Sequence, residues 1–172
     1  MILIISTCTE ELSEMEFVKP LCELTGGKAK HYRMLSKKDI EKAEKIIISG
    51  TALKDFNYLQ ADWSWLKEYD KPVLGICAGM QVILKAFDVP LAEKTVIGPQ
   101  TVEVVNENPL LEEDCSAYFL HTKTGSGNFK VLAKSSGVPC LIKHHTKEIY
   151  GCIFHPEVMN EEILENFVEL DS

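Results

Sequence analysis

Apolar and polar residues fall in two different rhythms along the chain. In the first half, short continuous apolar runs alternate with helix-spaced patterns. Ile2–Ser6 is an apolar run of strand length. Ser13–Leu24 follows, with Phe17, Val18, Leu21 and Leu24 on one helical face and Ser13 and Glu16 at capping-box spacing. Pro20 inside it predicts a bend or a shortening, and Gly26-Gly27 a stop. Ala29–Met34 reads as extended and Ser36–Ala43 as a short helix with a possible serine cap. Lys45–Ser49 is apolar almost throughout, the pattern of a parallel strand covered on both faces. Asp55–Tyr69 reads as a helix, Pro72–Ile76 as a strand and Ala78–Phe87 as another helix.

The second half changes texture. Thr101–Val105, Ala117–Leu120, Lys130–Ala133, Pro139–His144 and Ile149–Phe154 are predicted short strands separated by Gly, Pro, Asn and Ser turns, and Asn160–Leu170 is a closing helix. The order predicts one α/β domain over 1–172. Its architecture is a sandwich with a largely parallel central sheet flanked by helices, and a smaller antiparallel annex.

Composition narrows the classes of function. With 172 residues the chain can bury one full core, and 45% hydrophobic with 26% charged residues is ordinary for a globular protein. No apolar run approaches the ~20 residues of a membrane span, and Met1–Ile5 is too short and lacks the basic flank of a signal peptide. A net charge of −8 argues against nucleic-acid binding, which needs a basic surface. Cys8, Cys22, Cys77, Cys115, Cys140 and Cys152 have no Cys-x-x-Cys spacing, so neither a metal site nor another cofactor is expected, and a reducing cytoplasm suits them. Cys8 ends the first predicted strand, at the edge where Cys77 is expected.

Two stretches carry chemistry. In Gly75-Ile-Cys77-Ala-Gly79, glycines stand two residues to either side of a cysteine, between a strand and a helix. This is the cysteine form of the nucleophile elbow, in which a strained turn lifts the nucleophile above the sheet and close backbone packing demands glycine. The helix N-terminus favours the thiolate, and the Ala78 N–H is left free to face an oxyanion. The second stretch is Phe154-His155-Pro156-Glu157. Proline keeps its predecessor extended, so His155 and Glu157 project from one face and the carboxylate can hold the imidazole for the thiol. Cysteine, histidine and carboxylate make a generalised triad. Glu157 could instead cap the last helix.

Gly75-x-Cys77-x-Gly79-x-Gln81 followed by His155-Pro156-Glu157 resembles the class I (triad) glutamine amidotransferase domain, from the first strand to the final helix. The resemblance implies that Cys77 attacks the side-chain amide of glutamine, giving a glutamyl thioester and ammonia. It implies that Gln81 contacts the substrate and that the Ser49-Gly50-Thr51 turn supplies a second oxyanion N–H beside that of Ala78. The chain has no ATP-binding loop and no room for a synthase domain, so the ammonia acceptor is expected on a separate synthase subunit.

Two departures stand out. Thr51-Ala52 replaces a glycine and often a proline of the family, and threonine does not easily adopt φ > 0. Relatives carry Ser-His-x-Asp where this chain has Leu120-His121-Thr122-Lys123, which argues mildly against a guanylate-synthesis role and leaves His121 either a substrate ligand or a solvated loop residue. His31, His144 and His145 read as surface or strand histidines. Two rival functions remain open: a hydrolase of another γ-glutamyl amide, which Lys123 would suit if the substrate carries extra negative charge, and a non-catalytic regulatory or binding subunit with a relic triad.

Overall fold

The computed structural model describes residues 1–171. Nine strands form one mixed sheet: β1 (Ile2–Ser6), β2 (Lys28–His31), β3 (Lys45–Ile48), β4 (Val73–Ile76), β5 (Ala92–Val104), β6 (Cys115–Thr124), β7 (Lys130–Ser135), β8 (Val138–Lys143) and β9 (Ile149–Cys152), in the order β2-β1-β3-β4-β9-β8-β7-β5-β6. The first five in that order pair in parallel, and from β9 onward every pairing is antiparallel. The annex is thus a continuation of the central sheet. Ile4, Ile5, Ile46, Ile47, Ile48, Val73 and Leu74 are all fully buried, which is why these strands read as unbroken apolar runs.

Among the described residues six helices flank the sheet: α1 (Glu11–Phe17), α2 (Lys19–Thr25), α3 (Lys37–Lys42), α4 (Ala78–Ala86), α5 (Pro156–Met159) and α6 (Glu161–Glu169). The single helix expected over Ser13–Leu24 is two, because Pro20 sits in the first turn of α2 and the chain breaks at Val18. Ser13 lies inside α1 and caps nothing, whereas Gly26 ends α2 at φ 74° and Ser36 forms a full capping box with Asp39.

Two expectations fail for physical reasons. Asp55–Tyr69 is not an α-helix but two 3-10 turns, Asn57–Gln60 and Ser64–Lys67. The carboxylates of Asp55 and Asp62 capture the amides of Asn57 and Ser64 (3.3 and 2.9 Å), side-chain competition that diverts the backbone from helix. Conversely β5 begins nine residues before Thr101, because Gly98 and Pro99 lie inside a real strand that pairs with β6 along a long hairpin.

Because β1, β3, β4 and β9 run parallel, their C-terminal ends lie along one edge. Thr7 and Cys8, Ser49–Thr51, Cys77 and Ile153–His155 are thereby gathered there, where open α/β sheets place their ligands.

Candidate active site

Cys77 sits between β4 and α4 at φ 51°, ψ −102°, a conformation L-residues rarely adopt and one that surrounding structure must enforce. The enforcement is visible. Its N–H donates to Cys152 O (2.7 Å), and its carbonyl accepts the Gln81 N–H (3.1 Å). A Cβ on Gly75 would lie 2.4 Å from Gly79 O, and one on Gly79 would lie 2.2 Å from Ile48 O, so both glycines are required by contact with neighbouring backbone. Cys77 is 5% exposed and its Sγ lies 3.3 Å from Leu120 O on β6.

His155 follows β9 and is pinned to β6 by its N–H donating to Tyr118 O (2.9 Å). Its Nδ1 lies 2.9 Å from Glu157 Oε2, and both side chains are almost fully buried. A carboxylate accepts only, so Nδ1 carries the proton of that bond and Nε2 is the nitrogen left for another partner. Nε2 is buried with no completed hydrogen bond and is open to a further partner, while the Cys77 thiol donates to Leu120 O. Burial opposes charge on this imidazole, but the Cys77 sulfur and the Glu157 carboxylate outweigh it and hold His155 well above the usual histidine range. The extended geometry expected for His155–Glu157 holds only at His155. Pro156 starts α5, and Glu157 reaches back from its first turn. Glu157 lies ahead of α6, whose N-cap position belongs to Asn160.

The Gly50 turn closes over the same spot. A Cβ at Gly50 would lie 2.7 Å from His155 Cε1 and 3.4 Å from Cys77 Cβ. The Gly50 carbonyl accepts from Ser49 Oγ (3.0 Å), Thr7 Oγ1 (3.2 Å) and Cys8 Sγ (3.5 Å), which turns it toward the end of β1. Across a trans peptide the Thr51 N–H then points away from the end of β1. Neither Gly50 nor Thr51 is among the residues with positive φ, so the threonine requires none of the strain that its replacement of glycine suggests. Thr51 Oγ1 donates to Asp55 (2.9 Å), and Asp55 also takes the N–H and hydroxyl of Thr9 (2.7 and 2.8 Å). Ala78, first residue of α4, has an N–H with no acceptor inside the helix.

Thr51, Phe56, Tyr58, Cys77, Gln81 and His121 are among the walls of a cavity of about 10 Å³, room for one water-sized molecule. Gln81 is 2% exposed, its Oε1 bonded to the Tyr58 hydroxyl and its Nε2 donating to Lys123 O (2.9 Å). His121 is a buried β6 residue, 3% exposed, so the solvated-loop alternative fails. Burial brings it down to about 4 and keeps it neutral near pH 7. The structure thus brings together every site residue expected from sequence: Gly50, Thr51, Cys77, Ala78, Gln81, His121, His155 and Glu157. Sequence reasoning misses Tyr58, Asp55 and the Leu120 carbonyl. A backbone carbonyl has no sequence signature, and Tyr58 lies in the segment misread as helix. Among the described residues no group of three or more His, Cys, Asp or Glu is placed to hold a metal.

Residues 28–170 match the family Glutamine amidotransferase class-I. The chain is 32% identical over 143 residues to the glutamine-hydrolysing GMP synthase subunit of Pyrococcus furiosus, covering 75% of this chain and 76% of that protein. It is 35% identical over 145 residues to the corresponding GMP synthase subunit of Thermococcus kodakarensis, with the same shares covered. In fold it is similar to a putative GMP synthase subunit from Thermoplasma acidophilum, with a TM-score of 0.81 at 20% identity over 97% of this chain and 91% of the other. These relatives bear the guanylate name, against the direction in which this chain's Leu120 and Lys123 point. Since the matched span takes in both the Cys77 elbow and the His155–Glu157 pair, the chain belongs to the class I glutamine amidotransferase family.

Proposed function

We propose that this chain is the glutamine-hydrolysing subunit of a two-chain GMP synthase, and that it releases ammonia for a separate synthase subunit. The observation that carries the glutaminase reading is a buried cysteine at positive φ beside a histidine whose far nitrogen is held by a carboxylate at 2.9 Å. The guanylate branch rests on the names of the archaeal relatives. Six free thiols support a cytoplasmic setting.

In this reading the Cys77 proton passes to His155 Nε2, and the thiolate attacks the side-chain amide carbon of glutamine. The N–H groups of Ala78 and Thr51 stabilise the oxyanion that forms. Collapse breaks the C–N bond, and His155 returns its proton to the departing nitrogen, giving ammonia and a glutamyl thioester. Water then attacks the thioester with His155 as base, and glutamate and the thiol are regenerated. Glu157 fixes the tautomer and orientation of His155 throughout. Gln81 contacts the substrate, and neutral His121 forms part of the wall. Glutamine is larger than the present cavity, so its entry requires the walls formed by Thr51–Tyr58 and β6 to part.

The rival γ-glutamyl hydrolase draws on the free charge of Lys123. That ammonium is paired with Glu93 and lies 5.1 Å above the Phe56 ring, so no specific feature favours this rival. The test is ammonia release from glutamine by the purified chain, and glutamine-dependent GMP formation when it is mixed with the ammonia-using subunit of a GMP synthase. Ammonia release lost in Cys77→Ala supports the glutaminase. Release that survives that substitution refutes it, and robust release without any gain in GMP refutes the guanylate branch.

A further inference from the structure

We infer that Tyr58 is a positioning residue for glutamine, acting through the side-chain amide of Gln81. The inference rests on the reading of Cys77 and Gln81 above. Gln81 and Tyr58 are both 2% exposed, and both wall the Cys77 cavity. The orientation of a buried glutamine amide is ordinarily ambiguous, but here its partners decide it. The carbonyl of Lys123 can only accept, so the atom 2.9 Å from it is the NH2 group. The atom facing Tyr58 is then the oxygen, and the phenol must donate. Burial pushes the phenol well above the usual tyrosine range, which keeps it a donor at every physiological pH. With one N–H given to Lys123 O and one lone pair taken by Tyr58, Gln81 has one N–H and one lone pair left for a ligand. Their directions are set by the other two bonds.

Tyr58 is itself held from both sides. Its carbonyl accepts the Trp63 indole N–H (2.8 Å), and the chain ahead of it is tied at Asp55 to Thr9 and Thr51. The phenol therefore acts as a fixed post against which the elbow helix orients its amide. Without that hydroxyl the Gln81 oxygen loses its donor, and the buried amide turns to seek another. An unsatisfied buried polar group carries a cost that corresponds to roughly a tenfold or larger loss of affinity.

The test is saturation kinetics of Cys77 alkylation by a glutamine-shaped diazoketone, with iodoacetamide as a shape-blind control. Tyr58→Phe is expected to raise the half-saturation concentration of the glutamine analogue about tenfold, while the limiting rate and the iodoacetamide rate stay within about threefold. A purely structural role would slow both reagents alike. Gln81→Met removes the amide, and adding Tyr58→Phe to it should then cost nothing further, the non-additivity expected of one residue acting through another. Additive effects in the double variant, equal slowing with both reagents, or an unchanged half-saturation in Tyr58→Phe would each overturn the inference while leaving Cys77 as the nucleophile. A wild-type chain in which the analogue never reaches Cys77 would overturn the underlying reading and this inference together.

Discussion

Two turns at the ends of neighbouring strands face each other across the site, and they are built on opposite principles. The elbow after β4 is strained: Cys77 stands at φ 51°, and glycines at 75 and 79 admit backbone to within distances no side chain would tolerate. The Gly50–Thr51 turn after β3 needs no positive φ and is instead held by hydrogen bonds from Thr7, Ser49 and Cys8 to the Gly50 carbonyl and from the Thr51 hydroxyl to Asp55. A nucleophile must project from the backbone into the cavity, and only an enforced conformation holds it there. An oxyanion donor needs only a correctly aimed N–H, and any backbone whose carbonyl is anchored provides one. The contrast explains why the first turn depends on glycines while the second accepts a threonine.

Substitution at the two glycines nearest each turn's centre separates the principles most strongly. Gly79→Ala places a methyl against the Ile48 carbonyl, and overpacking of this kind costs about 3 kcal/mol or more. A clear fall in urea midpoint is expected, and an unchanged midpoint would mean that the elbow is not tightly packed. Gly50→Ala meets the His155 ring instead. It should lose glutaminase activity while its midpoint moves far less.

Within the triad, Cys77→Ala and His155→Ala should abolish turnover. Glu157→Gln should retain roughly a hundredfold more activity than either, since it weakens orientation without removing the nucleophile or base. Wild-type activity in Glu157→Gln would reduce the triad to a dyad. Smaller again is Thr51→Val, which keeps shape but loses the bond to Asp55. A fall in ammonia release of about tenfold is expected, within the loss that a missing oxyanion donor sets as an upper bound. A rise in rate would mean that the hydroxyl restrains the turn in an unproductive form.

The last expectation concerns the wall between them. His121 titrates near 4 in the folded chain and near its ordinary 6.5 when unfolded. Between those values the unfolded chain binds a proton that the folded chain does not, so stability falls as pH drops from about 6.5 to about 4. His121→Leu should flatten that part of the profile of urea midpoint against pH, and parallel profiles would contradict the assignment.

The strained turn was legible in the sequence because its constraint is written in residue types: two glycines, a cysteine and a strand-to-helix change of period. The parallel half was legible for a similar reason, since Ile46–Ile48 can only be a strand buried on both faces. The relaxed turn was half legible. Its glycine is visible, but two of the three donors that anchor Gly50 come from Thr7 and Cys8, over forty residues away. The antiparallel wall was least legible, because it contributes the Leu120, Lys123 and Tyr118 carbonyls, which any residue could supply. Asp55–Tyr69 was misread because side-chain carboxylates, not hydrophobic period, decide its backbone.

In the proposed reaction strain, the helix end and His155 together make Cys77 the nucleophile, while Cys8, which lies against the relaxed turn, is a buried thiol that burial pushes up. Treatment with a substoichiometric glutamine-shaped electrophile, followed by peptide mass mapping, tests this directly. Label is expected on Cys77 ahead of the other five cysteines, with that preference lost in His155→Ala. Label found first on Cys8 or Cys152, with Cys77 unmodified, would contradict it.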